Sequence, residues 1–104
     1  MGAHDIRKGQ KYRALEPLNV SFLTHWRAPF TDGGTGTLPA GEVFTVSFDP
    51  PNGATSATCD AMRKEEMETL LVPEADRKAP KYGGFSLVID FGAIRTKCER
   101  VDAV

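Results

Sequence analysis

The chain has 104 residues and a mass of 11.3 kDa, the size of one compact domain. Hydrophobic residues make up 40% and charged residues 26%, values that exclude a disordered tail, a collagen-like repeat and a coiled coil. A formal charge of -1 excludes a polycation that binds nucleic acid through its overall charge.

In chain order, residues 1–8 read as a flexible N-terminal segment of a single domain, 1–104. Gly9 to Glu16 follows as a strand, with Tyr12 and Ala14 on one side and Arg13 and Leu15 on the other; Pro17 closes it. Val20 to His25 alternates Val20, Phe22 and Thr24 against Ser21, Leu23 and His25, a second strand with its apolar face inward. From Trp26 to Thr37 neither a helical nor a strand period persists, and the three glycines and one proline of this stretch predict a long loop. Leu38-Pro39-Ala40-Gly41 has the residues of a turn, with Pro at its second position and Gly at its fourth.

Glu42 to Phe48 is the strongest strand signal, with Phe44, Val46 and Phe48 on its core face. Asp49 to Gly53 forms the turn of a hairpin, and Ala54 to Cys59 returns as a partner strand of small residues. Asp60 is the expected N-cap of a helix, Ala61 to Leu71, whose Met67, Leu70 and Leu71 share a face. Pro73 ends it by biasing Val72 out of the α region. Glu74 to Tyr82 reads as a polar connection and Gly83-Gly84 as a turn. Phe85 to Phe91 alternates as a central strand. Beyond Gly92, the spacing of Ile94, Cys98 and Val101 predicts a terminal helix.

These elements define an α+β, mainly β class: a small antiparallel barrel or bent sheet with one inserted helix and a C-terminal helix. The stretch Gly9-Gln10-Lys11-Tyr12, followed by Leu38-Pro39-Ala40-Gly41-Glu42-Val43-Phe44-Thr45-Val46, resembles the first strand and the turn-plus-strand of SH3-like barrels, including bacterial SH3-type domains. The helix after residue 60 departs from that pattern. The wider run from Tyr12 through Trp26-Arg27-Ala28-Pro29-Phe30 to Asp49-Pro50-Pro51 resembles small uncharacterised bacterial proteins, a likeness that implies no activity.

The charge is uneven along the chain. Residues 1–30 carry five Lys/Arg against two acids, 31–76 two against nine, and 77–104 six against three. If the two ends meet, Arg7, Lys8, Lys11 and Arg13 join Arg95, Lys97 and Arg100 in a basic patch opposite an acidic helix; otherwise these are solvated charges on outward faces. The two cysteines, Cys59 and Cys98, and the two histidines, His4 and His25, stand singly, so neither a zinc site nor another cofactor is expected. A processed Gly2-Ala3-His4 terminus has the donors for square-planar Cu(II), a pattern common by chance. No apolar leader or spanning segment is read in the sequence, and a cytoplasmic protein is expected.

No catalytic constellation is complete. Cys59 and Cys98 lack a local nucleophile signature, and Gly33-Gly34-Thr35-Gly36-Thr37 lacks the ending of a phosphate loop, so it reads as a hairpin tip. The acids Asp60, Glu65, Glu66 and Glu68 lack calcium-loop spacing and read as a solvated helix face. The predicted binding residues are His25, Trp26, Arg27 and Phe30 in the long loop, with Tyr12. They combine an indole, a guanidinium and rings of the types enriched where proteins meet. Against this, Trp26 and Phe30 also suit a lid over an open barrel end. The leading expectation is a non-enzymatic module that binds a protein or peptide through this aromatic loop and an adjoining sheet edge, as the SH3-like resemblance also implies. The alternatives are nucleic-acid binding through the basic ends, with stacking by Tyr12 or Trp26, and a small enzyme using His25 or Cys59.

Overall fold

The computed structural model describes residues 6–26, 31–80 and 82–102, with backbone alone for 25, 26 and 31–33. Alternation decides most of the strands. In β1 (Lys11–Ala14) Tyr12 and Ala14 are buried between exposed Lys11 and Arg13. In β2 (Leu18–Trp26) Leu18, Val20, Phe22 and Thr24 turn inward. β4 (Val43–Val46) buries Phe44 and Val46, and β5 (Ser56–Ala61) buries Ala57, Cys59 and Ala61 opposite it. Small residues facing large ones keep the interior from overfilling. The hairpin expected around Asp49 to Gly53 therefore forms, but Phe48 lies beyond the last pairing and is 63% exposed.

Between β2 and β4 the chain is not a loop to Thr37. Thr31–Leu38 forms β3, antiparallel to β2. The turn after it also differs in register from the expected one. Glu42 N donates to Pro39 O at 3.3 Å, so Gly41 occupies the third position with φ 90°, where a type II turn requires a positive φ.

The inserted helix α1 (Lys64–Leu71) starts three residues later than Asp60 would set it, with Arg63 at its N-cap. Asp60 and Ala61 are held in β5 by pairing with Thr45 and Phe44. The helix buries Met67 and stops at extended Val72, ahead of Pro73 as expected; Leu70 is 55% exposed. The connection that follows contains a single helical turn, α2 (Glu74–Arg77). Gly83 and Gly84 belong to β6 (Tyr82–Asp90), which buries Phe85, Leu87 and Ile89. Phe91 opens α3 (Phe91–Lys97) instead of ending the strand, and the chain then returns to extended structure as β7 (Cys98–Arg100). Cys98 is drawn from the predicted helix by pairing with Ala14.

The strands form one antiparallel sheet in the order β3-β2-β6-β5-β4-β1-β7. A flat sheet would hold β1 and β2 about 19 Å apart, since three strands lie between them. Yet Ala14 and Leu18 are joined by only Leu15-Glu16-Pro17, which limits their separation to about 14 Å. The sheet must curl. Gly41 N donates to Ala14 O at 2.8 Å, bringing the turn after β3 against β1 and drawing the curl in further. One face thereby encloses a single core cluster, completed by Ile6, Met67, Val72, Phe91 and Ile94. The bent sheet is the architecture, and a closed barrel is not formed, because β3 and β7 remain its two unjoined edges.

Residues 6–8, expected in a flexible segment, are held to the sheet: Ile6 is a core residue at 1% exposure, Lys8 N donates to Asp49 Oδ1, and Gly9 N donates to Val46 O. No helix among the described residues is long and apolar enough to cross a membrane.

Candidate functional site

The predicted binding residues fall partly within the described structure. His25 and Trp26 end β2, where the Trp26 backbone is the register partner of Tyr82 on β6. Their side chains, and the whole of Arg27 and Phe30, lie outside the described residues, as does His4. Tyr12 belongs to the core instead. Its ring stacks on Phe44 at 5.9 Å between centroids, and its hydroxyl donates to Gln10 Oε1 at 2.7 Å. β1, which bears it, is separated from β2 in the sheet by β4, β5 and β6. A ring packed in this way is not displayed for stacking on a base.

The cysteines lie in environments that oppose thiolate chemistry. Burial, with Asp60 and Cys98 as lesser causes, pushes the Cys59 thiol up to about 12, and its Sγ faces Ala57 O at 3.6 Å. Burial raises Cys98 to about 11, helped by Glu16. A nucleophilic cysteine requires the opposite shift. Among the described residues no group of three or more His, Cys, Asp or Glu is placed to hold a metal ion.

The basic ends do meet, through the β1–β7 ladder, but they arrive with their own acids. Arg13 pairs with Glu99, Lys97 lies 3.7 Å from Glu16, and Arg100 grips Asp102 at 2.8 Å. Interleaved carboxylates reduce the field that a phosphate backbone would meet.

The two edges of the sheet are built differently. β7 is three residues long and carries Glu99 and Arg100, both ion-paired across the surface. Short length and charge are the usual means of keeping an edge from recruiting another strand. β3 is eight residues long, and its sequence Thr-Asp-Gly-Gly-Thr-Gly-Thr-Leu contains neither Lys nor Pro. Every second residue of an edge strand turns its N–H and C=O away from the sheet. Among the described residues no backbone hydrogen bond leaves this edge of β3.

The glycines of β3 have a packing reason. Gly34 and Gly36 pair with inward-facing Phe22 and Val20, while Thr35 and Thr37 pair with outward-facing Ser21 and Asn19. A β-carbon at Gly36 would lie 2.7 Å from Leu71 Cδ2, so the absent side chain is what lets α1 approach the strand. Gly34, at φ +124° and 3.5 Å in the same sense from the Phe22 ring, sits where the register slips and Gly33 is left without a partner. This is a bulge on the edge strand. The period-two alternation of Gly34 and Gly36 with Thr35 and Thr37 was the available sequence signal. It is masked because a strand's inner face normally announces itself by large apolar residues.

Beside this edge the outer face is shallow and uncharged at its centre. A depression of 340 Å³ is lined by Ser21, Phe22, Leu23, Gly34, Thr35 and Val88. It continues toward Asn19 and Asp90. Leu23 and Val88 are partly buried and give it an apolar floor among hydroxyl groups.

On the inner side, α1 is tied to β6 by Tyr82, whose hydroxyl donates to Glu68 Oε2 at 2.7 Å. Burial and the Glu68 carboxylate hold the Tyr82 phenol well above its ordinary range, so it remains a neutral donor. The neighbouring helix residues Glu65 and Glu66 are exposed.

No protein-family model, curated protein or solved structure matches this chain.

Proposed function

We propose that this protein is a non-enzymatic binding module that takes an extended protein segment along β3, the edge strand beside β2. The observation that carries this reading is the asymmetry of the sheet edges: β7 is short and ion-paired, whereas β3 is long, lacks Lys and Pro, and bears outward backbone groups. An added strand satisfies such groups, and pockets beside the edge select its alternate side chains. The depression over Ser21, Leu23, Thr35 and Val88 supplies such a pocket.

Panning a random-peptide display library on the full chain, followed by amide shift mapping of the recovered peptides, tests it. Hits are expected to perturb Gly34 to Leu38. Recovery of no peptide, or of peptides whose shifts map to β7 and α3, overturns it.

A further inference from the structure

The charge around β3 identifies the class of segment that fits. We infer that the occupant is a basic extended peptide, with Lys or Arg alternating with β-branched residues, added as an eighth strand against β3; this rests on the strand-edge reading above. The helix beside β3 carries Glu65, Glu66 and Glu68 against Lys64. Arg63 just ahead of it is held by Glu42 through paired hydrogen bonds and lies 3.7 Å from Glu66, so Glu65 and Glu66 outweigh Lys64 as the exposed charges of this helix. The helix packed under the edge brings Glu65 and Glu66, both exposed, while Leu71 touches Gly36. An α1 of eight residues is about 12 Å long. Its carboxylates therefore act on the edge from roughly one Debye length away at 0.1 M salt. Asp90 adds a further negative charge at the rim of the outer depression.

A second copy of the chain is a poorer occupant. Pairing β3 with itself about a two-fold axis would set each acidic helix against its counterpart, and like charges brought together oppose association. A basic strand meets the same charges with the opposite sign. Its residues on the outer face would lie beside Thr35 and Thr37, whose small side chains leave access to the floor formed by Leu23 and Val88.

The test uses the full chain and three synthetic peptides of equal length that alternate Val with Lys, Ser or Glu, read by amide shifts and by calorimetry. The Lys-Val peptide is expected to perturb Gly34 to Leu38, to bind at least roughly tenfold more tightly than the Glu-Val peptide, and to weaken as salt rises from about 0.05 to 0.3 M. Substituting E65Q and E66Q together is expected to reduce that preference without shifting the far-UV spectrum. N-methylation of alternate peptide nitrogens, tried in both registers, is expected to abolish binding in the register whose methyl groups face β3. Equal binding of all three peptides at β3 overturns the basic assignment and leaves the strand-edge reading standing. Binding that survives N-methylation in both registers, or no perturbation of β3 by any peptide, overturns both. Concentration-dependent dimerisation with shifts confined to β3 also overturns the assignment, because the occupant would then be a second copy.

Discussion

Arg63 grips the carboxylate of Glu42 from 21 residues away, Nε to Oε1 at 3.1 Å and Nη2 to Oε2 at 2.5 Å. The two ends of this pair are unequal, since the Glu42 side chain is 8% exposed and that of Arg63 55%. The pair ties the segment before α1 to the turn that leads into β4. Truncating the cation strands a buried carboxylate, whereas replacing both partners with apolar groups removes the charge along with its need. The Arg63→Ala variant is expected to melt below the parent. The double variant Arg63→Met with Glu42→Leu is expected to recover most of that loss. A thermal melt of the three proteins checks it, and a double variant that melts lower than Arg63→Ala refutes it.

The contact of Leu71 with Gly36 leads to a second expectation. Gly36→Ala places a methyl group 2.7 Å from Leu71 Cδ2, and because the Leu71 side chain can turn aside, the cost is expected near the lower end of the overpacking range, about 1 kcal/mol. Because the obstacle is the end of a flexible side chain, Leu71→Ala in the same protein relieves the clash. Urea titration of the single and double variants should show a coupling of about 0.5–1 kcal/mol between the two sites. Additive losses would place α1 further from β3 than described.

Cys59 gives stability a pH dependence whose sign is fixed. Its thiol stays protonated in the fold until about 12, against an ordinary value of 9.0. Above pH 9 the unfolded chain loses this proton while the folded chain keeps it, so stability present below pH 9 is lost as pH rises toward 12. For this one group the slope approaches about 1.4 kcal/mol per pH unit. Cys59→Ala is expected to flatten the curve of stability against pH between 9 and 11, with a small uniform loss from the vacated volume. Alkylation kinetics offer a companion measurement: Cys59 is expected to react at pH 8 only after denaturant is added.

Asp102 titrates in the opposite sense. Its carboxylate accepts from the Arg100 guanidinium and from Lys11 N at 3.0 Å, and these bonds hold it well below the usual carboxylate range. Stability from this group is present above the unfolded value of about 3.9 and is lost as pH falls below it. The melting temperature of Asp102→Asn is expected to lie below that of the parent at pH 7, and the gap to narrow steadily as pH falls from about 4 to about 2. A gap as wide at pH 2 as at pH 7 would mean that the ion pair is not its cause.

The strands that could be read directly are those whose inner face is made of large residues: Val20 and Phe22, Phe44 and Val46, and Phe85, Leu87 and Ile89 all alternate visibly. β3 could not be read that way because its inner positions are Gly34 and Gly36, chosen to admit a helix 35 residues further along at Leu71. The strand at Cys98–Arg100 is hidden in the sequence for a related reason. Ile94, Cys98 and Val101 keep a helical spacing, but the ladder to Ala14, more than 80 residues away in sequence, imposes extended structure from Cys98 onward. Tyr12 reads equally well as a displayed ring or a core ring until Phe44 is placed beside it. That β3 is an edge at all depends on the order of seven strands, which no local pattern encodes. Its lack of Lys and Pro was legible, though its meaning was not.

The three-residue link between Ala14 and Leu18 also bears on how the chain assembles. β1 and β2 emerge from the ribosome together, yet they do not pair with each other, and three later strands must settle between them. β2 finds β3 within a few residues, whereas β1 must wait for Val43–Val46 before it has any ladder partner, and for Cys98–Arg100 before it has its second. Non-local closure of this kind slows folding. The synthesis of this protein therefore leaves β1 unpartnered until Val43–Val46 has been made, and its sheet incomplete until Cys98–Arg100 follows.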